Sequence, residues 1–262
     1  MSFYKNLTKA EACGNTFLIF EGSWPQQEMI QEIILQKVDS GLKFAIEKET
    51  PEAIFVSMKV LEKDGSISEF CGNGARCIAA YLKANHLAPN KKWYLIKESK
   101  LLQLGVSQNN YFVEASCFPT FQKFTENAFA LQILGSHFFF TQWFNEPHLV
   151  TFDNLGYEKL YEIGKLANSL KYREVFPKGT NINAVAVKEE QKIENMTFER
   201  GVNAITRACG SGSACASWLF HYFSSILKNS EQYSIQVLNK GGTIEFSSSK
   251  NNFCMKGEAL VS

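Results

Sequence analysis

The chain has 262 residues and a net charge of +1, and is 45% hydrophobic and 13% aromatic. That length fits one large domain or two of ordinary size, and the 22 Phe supply material for two packed cores. A charge this balanced gives no basic face for nucleic acid, and no apolar run is long enough for a signal peptide or a bilayer span, so neither nucleic-acid nor membrane partners are expected. The seven cysteines are odd in number and none sits in a tight Cys-x-x-Cys pair. Without a secretion signal this usage points to reduced thiols and a cytoplasmic protein.

In chain order, residues 15–21 read as a strand entered through Cys13-Gly14. Met29, Ile30, Ile33 and Ile34 recur at helical spacing and predict a helix over 25–37, followed by a turn at 38–42. The β-branched, apolar run 53–61 predicts a strand, and Asp64-Gly65 a hairpin turn into a second strand at 67–70. A helix is predicted over 74–85, then strands at 93–96, 101–106 and 111–115. Beyond a boundary near Pro119, strands are expected at 138–143 and 149–152, flanking Asn145-Glu146-Pro147-His148. A helix follows over 155–170, with Leu160, Ile163, Leu166 and Leu170 at helical spacing. A turn at 178–181 leads into a strand at 182–187, then come a short strand at 196–200, a loop at 201–208 and a helix over 212–227. A hairpin of strands 234–238 and 243–247 closes the pattern. Many strands with one central helix per half describe an α+β fold of two similar halves, 1–118 and 119–262, each a curved sheet around its helix.

The halves share a motif. Residues 70–81 read FCGNGARCIAAY and residues 208–219 read ACGSGSACASWL. Each shows Cys-Gly-(Asn/Ser)-Gly with a second Cys six places after the first. The two first cysteines, Cys71 and Cys209, lie about half a chain length apart. A Cys at a helix start meets unpaired backbone N–H groups and the positive end of the helix dipole, a setting that favours the thiolate. The neighbouring glycines let backbone approach a ligand, and free N–H groups there can hold a carboxylate or phosphate. One such cysteine is more often a small core residue. Two in a duplicated frame shift the balance toward a pair of working thiols, one thiolate and one thiol, able to take a proton from one face of a carbon and return one to the other. The inner cysteines Cys77 and Cys215, with Cys117 and Cys254, are assigned to the core. The spacing is not that of a metal knuckle and no paired His accompanies it, so no metal is expected, and no cofactor signature is present. A redox pair closing a disulfide between Cys71 and Cys209 stays open at this point.

These residues resemble the diaminopimelate epimerase family, and the similarity runs collinearly through most of the chain. Cys13-Gly14-Asn15-Thr16-Phe17 looks like the family's Gly-Asn-Asp-Phe, with Thr for Asp. Asp64-Gly65-Ser66 followed by Cys71-Gly72-Asn73-Gly74-Ala75-Arg76-Cys77 is similar to its first signature. Glu146-Pro147-His148, the turn 176–181, Glu199-Arg200-Gly201-Val202 and Ala208-Cys209-Gly210-Ser211-Gly212 resemble its later segments. The resemblance implies two pseudo-symmetric α+β halves, each a β-barrel-like mixed sheet around a central helix, with the final strand near 252–262 returning to the first half. It implies cofactor-independent interconversion of LL- and meso-diaminopimelate, on the route to lysine and peptidoglycan. Cys71 and Cys209 would be the acid/base thiols. Gly72, Asn73, Gly210 and Ser211 would hold the reacting carboxylate, and Asn15, Asn181, Glu199 and Arg200 the rest of the substrate. His148 would lie nearby and tune a thiolate. The partner is then a small amino acid, with a homodimer left open.

The chain also departs from the family. Glu62 stands nine residues before Cys71 where the family has Asn, and Glu146 stands where Asn commonly precedes Pro-His. Residues 203–207 (NAITR) replace the family's Gly-Glu-Thr, and the region around Asp39-Ser40-Gly41 is shortened. Added carboxylates would suit a more cationic far end of the substrate. A racemase of another amino acid on the same fold is therefore an alternative. A third is an isomerase of the phenazine-biosynthesis type, which lacks the paired cysteines, and a fourth a redox-responsive thiol protein.

Overall fold

The computed structural model describes residues 7–68, 70–123, 130–228, 233–249 and 251–262. Contacts divide it into two units, one of the residues up to Ser116 together with Cys254–Ser262, the other of Cys117–Phe253.

In the first unit the strands are β1 (Thr8–Ala12), β2 (Asn15–Glu21), β3 (Ser40–Glu49), β4 (Ala53–Glu62), β5 (Ile67–Ser68), β6 (Lys92–Lys97), β7 (Lys100–Ser107) and β8 (Asn110–Ala115), with helices α1 (Gln26–Leu35) and α2 (Gly72–Ala84). Neighbouring strands are antiparallel except at two crossovers: α1 carries the chain from β2 to a parallel β3, and α2 from β4 to a parallel β6. Apolar residues of β2, α1 and the turn after it, including Phe20, Met29, Ile33 and Val38, form one core cluster. Helix α2 packs on β1, β2, β7 and β8, so the sheet curves around it. From Gly72 to Leu82 every residue of α2 is buried, the condition of a helix that must be apolar or small all round. Ala75, Ala79 and Ala80 meet that condition without holding the strands away.

The second unit repeats this order. Its strands are β9 (Thr120–Phe121), β10 (Ala130–Ile133), β11 (Ser136–Trp143), β12 (Glu146–Thr151), β13 (Asn181–Glu189), β14 (Lys192–Glu199), β15 (Ala204–Ile205), β16 (Ser234–Asn239) and β17 (Gly242–Ser249), with helices α3 (Tyr157–Ala167) and α4 (Gly210–Lys228). The parallel pairs are again those bridged by a helix, β12 with β13 through α3 and β14 with β16 through α4. Even an irregularity recurs: β3 has a register shift between Ile46 and Lys48, and β13 one between Val187 and Glu189. Leu160, Ile163 and Ala167 of α3 pack on Phe138, Leu149, Ile182 and Phe198, while α4 packs on β11, β12, β13, β14, β16 and β17. The last strands are β18 (Asn252–Gly257) and β19 (Leu260–Val261). The chain re-enters the first unit at Cys254, and β19 pairs with β1 there.

Several sequence expectations are corrected. The turn expected at 38–42 ends by Ser40, where the ten-residue strand β3 begins. Gly41 takes part in that strand because a side chain there would meet Ile33 Cδ1 at 2.8 Å. Cys13-Gly14 does not merely enter a strand; it is the turn of a β1–β2 hairpin, with Cys13 at φ 50° and Gly14 at φ 78°. The segment around Glu146 is the start of β12 rather than a loop, and α2 and α4 each begin two residues before the predicted starts. The predicted strand 67–70 is β5 at Ile67–Ser68, and residue 69 lies outside the described residues. Cys77 and Cys215 are fully buried as read, but Cys117 and Cys254 are only half-buried, not core.

Gly164 of α3 lies so close to the fully buried ring of Phe198 that an added Cβ would overlap it. Alanine gains about 1 kcal/mol of helix propensity, yet overpacking costs about 1–3 kcal/mol and this ring has nowhere to move. Gly164→Ala is therefore expected to lower stability by about 1 kcal/mol net, read as a lower denaturant midpoint at unchanged slope.

Candidate active site

In the first unit Cys71 occupies the N-cap of α2 in extended backbone (φ −134°), and its sulfur accepts the Gly74 N–H at 3.3 Å. A side chain at Gly74 would meet Leu42 Cδ2 at 2.9 Å, so glycine is what lets this turn seat against the sheet. Asn73 donates through Nδ2 to Asn15 Oδ1 (2.5 Å) and accepts at Oδ1 from Arg76 Nη2 (2.5 Å). Two of the predicted ligand-holding residues, Asn15 and Asn73, are thus joined, and the order of donors leaves the Asn15 amide nitrogen turned away from Asn73. Arg76 was not singled out from sequence. It is fully buried, also donates to Cys13 Sγ at 3.4 Å, and its Nε and Nη1 have no protein partner. Glu62 ends β4 in a separate hydrogen-bonded group, where Ser40 and Ser68 each donate to one of its oxygens at 2.7 Å. Thr16, in the place of the family's Asp, donates its N–H and hydroxyl to Asp39.

In the second unit Cys209 immediately precedes α4, and its sulfur accepts the Gly212 N–H at 3.4 Å. Sulfur accepting an N–H at a helix start is the arrangement that stabilises a thiolate. A Cβ at Gly212 would overlap Asn183 Oδ1, so the second motif also needs its second glycine. Gly210 opens the helix, and Gly72 occupies the same position in α2. Ser211 Oγ lies 3.6 Å from Cys209 Sγ and 3.1 Å from His148 Nε2.

The protonation of His148 follows from its neighbours. Thr197 donates its hydroxyl to Asn183 Oδ1 (2.8 Å), which leaves Asn183 Nδ2 to donate to His148 Nδ1 (3.2 Å) and to the Leu149 carbonyl (3.2 Å). Nδ1 is then the acceptor, Nε2 carries the proton and donates to Ser211, and the Ser211 hydroxyl is free to donate to the Cys209 sulfur. Burial, with the Arg200 charge adding to it, pushes the imidazole down to about 3, so the ring is neutral. Asn183 and Thr197 were missed in the sequence; their only signal is a polar residue inside an apolar strand.

At the head of the same strands, Arg200 Nη2 donates to Glu146 Oε2 at 2.9 Å, with the Glu146 side chain 8% and the Arg200 side chain 19% exposed. Arg200 Nη1 donates to the Lys178 carbonyl (3.0 Å), and its backbone N–H to Asn181 Oδ1 (3.1 Å). Asn181 Nδ2 in turn donates to the Pro147 carbonyl (3.2 Å). Glu199, next in the chain, accepts the Thr206 hydroxyl. This unit therefore carries two hydrogen-bonded groups, Cys209 with Ser211 and His148, and, at the head of the same strands, Glu146 with Arg200 and Asn181. Among the described residues no His, Cys, Asp or Glu cluster is arranged to hold a metal, and no helix is long and apolar enough to cross a membrane.

A histidine held neutral in the fold but titrating near 6.5 when unfolded lowers stability as pH falls below 6.5. At 1.36 kcal/mol per unit the cost reaches about 2 kcal/mol by pH 5. The denaturation midpoint of the wild type is expected to drop between pH 7 and pH 5 by more than that of His148→Gln, whose profile lacks this contribution.

Comparison with known proteins matches residues 145–261 to the family model described as "Diaminopimelate epimerase". Curated relatives of that name include one from Hydrogenobaculum sp. (strain Y04AAS1), 27% identical with 79% of each chain covered. Another, from Buchnera aphidicola subsp. Baizongia pistaciae, is 26% identical over 97% of this chain and 92% of the relative. Among solved structures, a hydroxyproline epimerase from Agrobacterium vitis aligns with a TM-score of 0.68 at 10% identity, over 98% of this chain and 89% of that one. A phenazine biosynthesis protein of the PhzF family from Enterococcus faecalis aligns with a TM-score of 0.66 at 15% identity, over 97% and 96%. At such identities the solved structures speak to the two-part α+β fold alone. The collinear relatives and the family model over the second half of the chain both support a likeness to the diaminopimelate epimerase family.

Proposed function

We propose that the protein is a cofactor-independent epimerase that inverts the α-carbon of an amino acid by two-base proton transfer, with Cys71 and Cys209 as the two bases. Diaminopimelate, the substrate for which its relatives are named, is the proposed substrate, which would place the reaction in lysine and peptidoglycan precursor synthesis. One observation carries the reading: the same thiol-capped helix start, with its sulfur on the N–H three residues on, is built once in each unit.

The chemistry follows from those groups. One cysteine, as thiolate, takes the α-proton; the C–H electron pair stays on carbon and delocalises into the substrate carboxylate. The other cysteine, as thiol, gives its proton to the opposite face and becomes the thiolate. The thiol/thiolate state is inverted at each turnover, and the reverse reaction restores it. Charge developing on the carboxylate is met by helix-start N–H groups of Gly72, Asn73, Gly210 and Ser211, the kind of preorganised donors that stabilise such an anion. In the second unit the neutral His148 supports the Cys209 thiolate through Ser211 without a competing charge.

In D₂O the reduced enzyme is expected to replace the α-proton of LL-diaminopimelate with deuterium, followed by NMR. Cys71→Ser and Cys209→Ser should each slow epimerisation by about 10²–10⁴-fold, the scale of one lost acid/base group, while remaining folded. Epimerisation undiminished in either variant would contradict the assignment.

A further inference from the structure

Arg76 stands in α2 under conditions that a purely structural residue would avoid. It is 0% exposed, its Nε and Nη1 meet no hydrogen-bond partner, and among the described residues it is bonded to no carboxylate. A buried guanidinium left in this state costs stability. The helix frame does not require it. Arg76 lies five residues after Cys71, and the matching place after Cys209 is Ala214, which is equally buried. Breaches of good packing of this kind concentrate where a protein works.

What Arg76 does is set the direction of two amides. Its Nη2 donates to Asn73 Oδ1 at 2.5 Å on its own helix and to Cys13 Sγ at 3.4 Å in the turn of the β1–β2 hairpin. That turn leads into Asn15, the first residue of β2. A guanidinium has donors only. Asn73 must therefore face it with oxygen and face Asn15 with nitrogen, and Asn15 must accept with Oδ1. Among the described residues nothing accepts from Asn15 Nδ2, so its N–H groups stay available to a ligand. The second unit reaches the same end by other means. Ser211, which matches Asn73 in the repeat, is oriented by the N–H of the buried His148.

We infer that Arg76 is a positioning residue: it holds the Asn73–Asn15 pair in the one orientation that offers Asn15 Nδ2 as a hydrogen-bond donor to an oxygen of the substrate. Without a donor-only group beneath Asn73 both amides can turn over together, and Asn15 then meets that oxygen with a lone pair of its own. The inference rests on the epimerase reading for the identity of the substrate, and goes beyond it in giving Arg76 a task.

The test follows the side-chain amide signals of Asn15 and Asn73 in ¹⁵N-labelled reduced protein. In the wild type the Asn73 amide protons are expected to exchange slowly with water, and those of Asn15 to exchange faster and to shift when LL-diaminopimelate is added. The reverse pattern overturns the inference with no variant needed. Arg76→Met removes the donor at similar length, and Arg76→Lys keeps a group that can only donate. Arg76→Met is expected to move both amide signals and to raise KM about tenfold with kcat within about threefold, the scale of one lost hydrogen bond. Arg76→Lys should recover most of the KM and the wild-type amide pattern, with thermal melting showing that each variant is folded. A folded Arg76→Met with wild-type KM and an unmoved Asn15 signal, or a folded Arg76→Lys that recovers neither, overturns the inference. Should Arg76→Met not fold, the wild-type exchange pattern and Arg76→Lys decide it. If the amide pattern holds but no amino acid is turned over, the epimerase reading fails while the hold of Arg76 on the two amides stands. If turnover occurs and the pattern is absent, the positioning role fails alone.

Discussion

The arrangement on which the proposed chemistry depends is a backbone N–H pointing at a sulfur. An α-helix leaves its first N–H groups without intrahelical partners, and in both units the residue that takes one of them is a cysteine rather than the usual Ser, Thr, Asp or Asn. The same contact that caps the helix start is of the kind that favours negative charge on sulfur. Everything around it serves to keep that helix start in place. The glycines three residues on let Leu42 and Asn183 approach. The first turns of the helix behind are buried, Gly72–Leu82 in the first unit and Gly210–Ser217 in the second, so they cannot tilt without disturbing the strands packed on them.

The two helix starts share a frame but not their supporting groups. In the first unit the amides of Asn15 and Asn73 are ordered by a buried guanidinium, Arg76. In the second, a chain of neutral groups runs from Thr197 through Asn183, His148 and Ser211 to Cys209. A neutral chain of this sort orients donors without placing a full charge beside the thiol. The charged pair of the second unit, Glu146 with Arg200, lies apart at the strand heads. Duplication accounts for the likeness of the thiols, and divergence of the neighbours for the different work expected of each unit.

How much of this the sequence revealed depended on where the determining contacts lie. The cysteine signatures were legible because the chemistry of a helix start is local: Cys, Gly and a small polar residue must be adjacent in the chain. The strands after Asp64 and the central helices were legible for the same reason. Strand β3 was hidden because Asp39-Ser40-Gly41 looks like a turn, and only the distant side chain of Ile33 explains the glycine. The role of Glu146 was visible as a departure but not as an interaction, since Arg200 lies 54 residues away in sequence. Asn183 and Thr197 gave only a weak signal: a polar residue in an apolar strand acquires meaning from the register that sets Asn183 beside Thr197 and from the contact of Asn183 with His148.

The most direct measurement is site-resolved alkylation of the reduced protein across pH, with each cysteine followed by mass spectrometry. Cys71 and Cys209 are expected to react as thiolates near neutral pH, well below the ordinary thiol range. Cys215, pushed up to about 12 by burial, and Cys77, raised further by the same cause, should stay unmodified in the folded protein. If Cys71 and Cys209 instead react only at the pH of an ordinary thiol, or no faster than the buried pair, the helix starts do not hold thiolates and the two-thiol account is wrong.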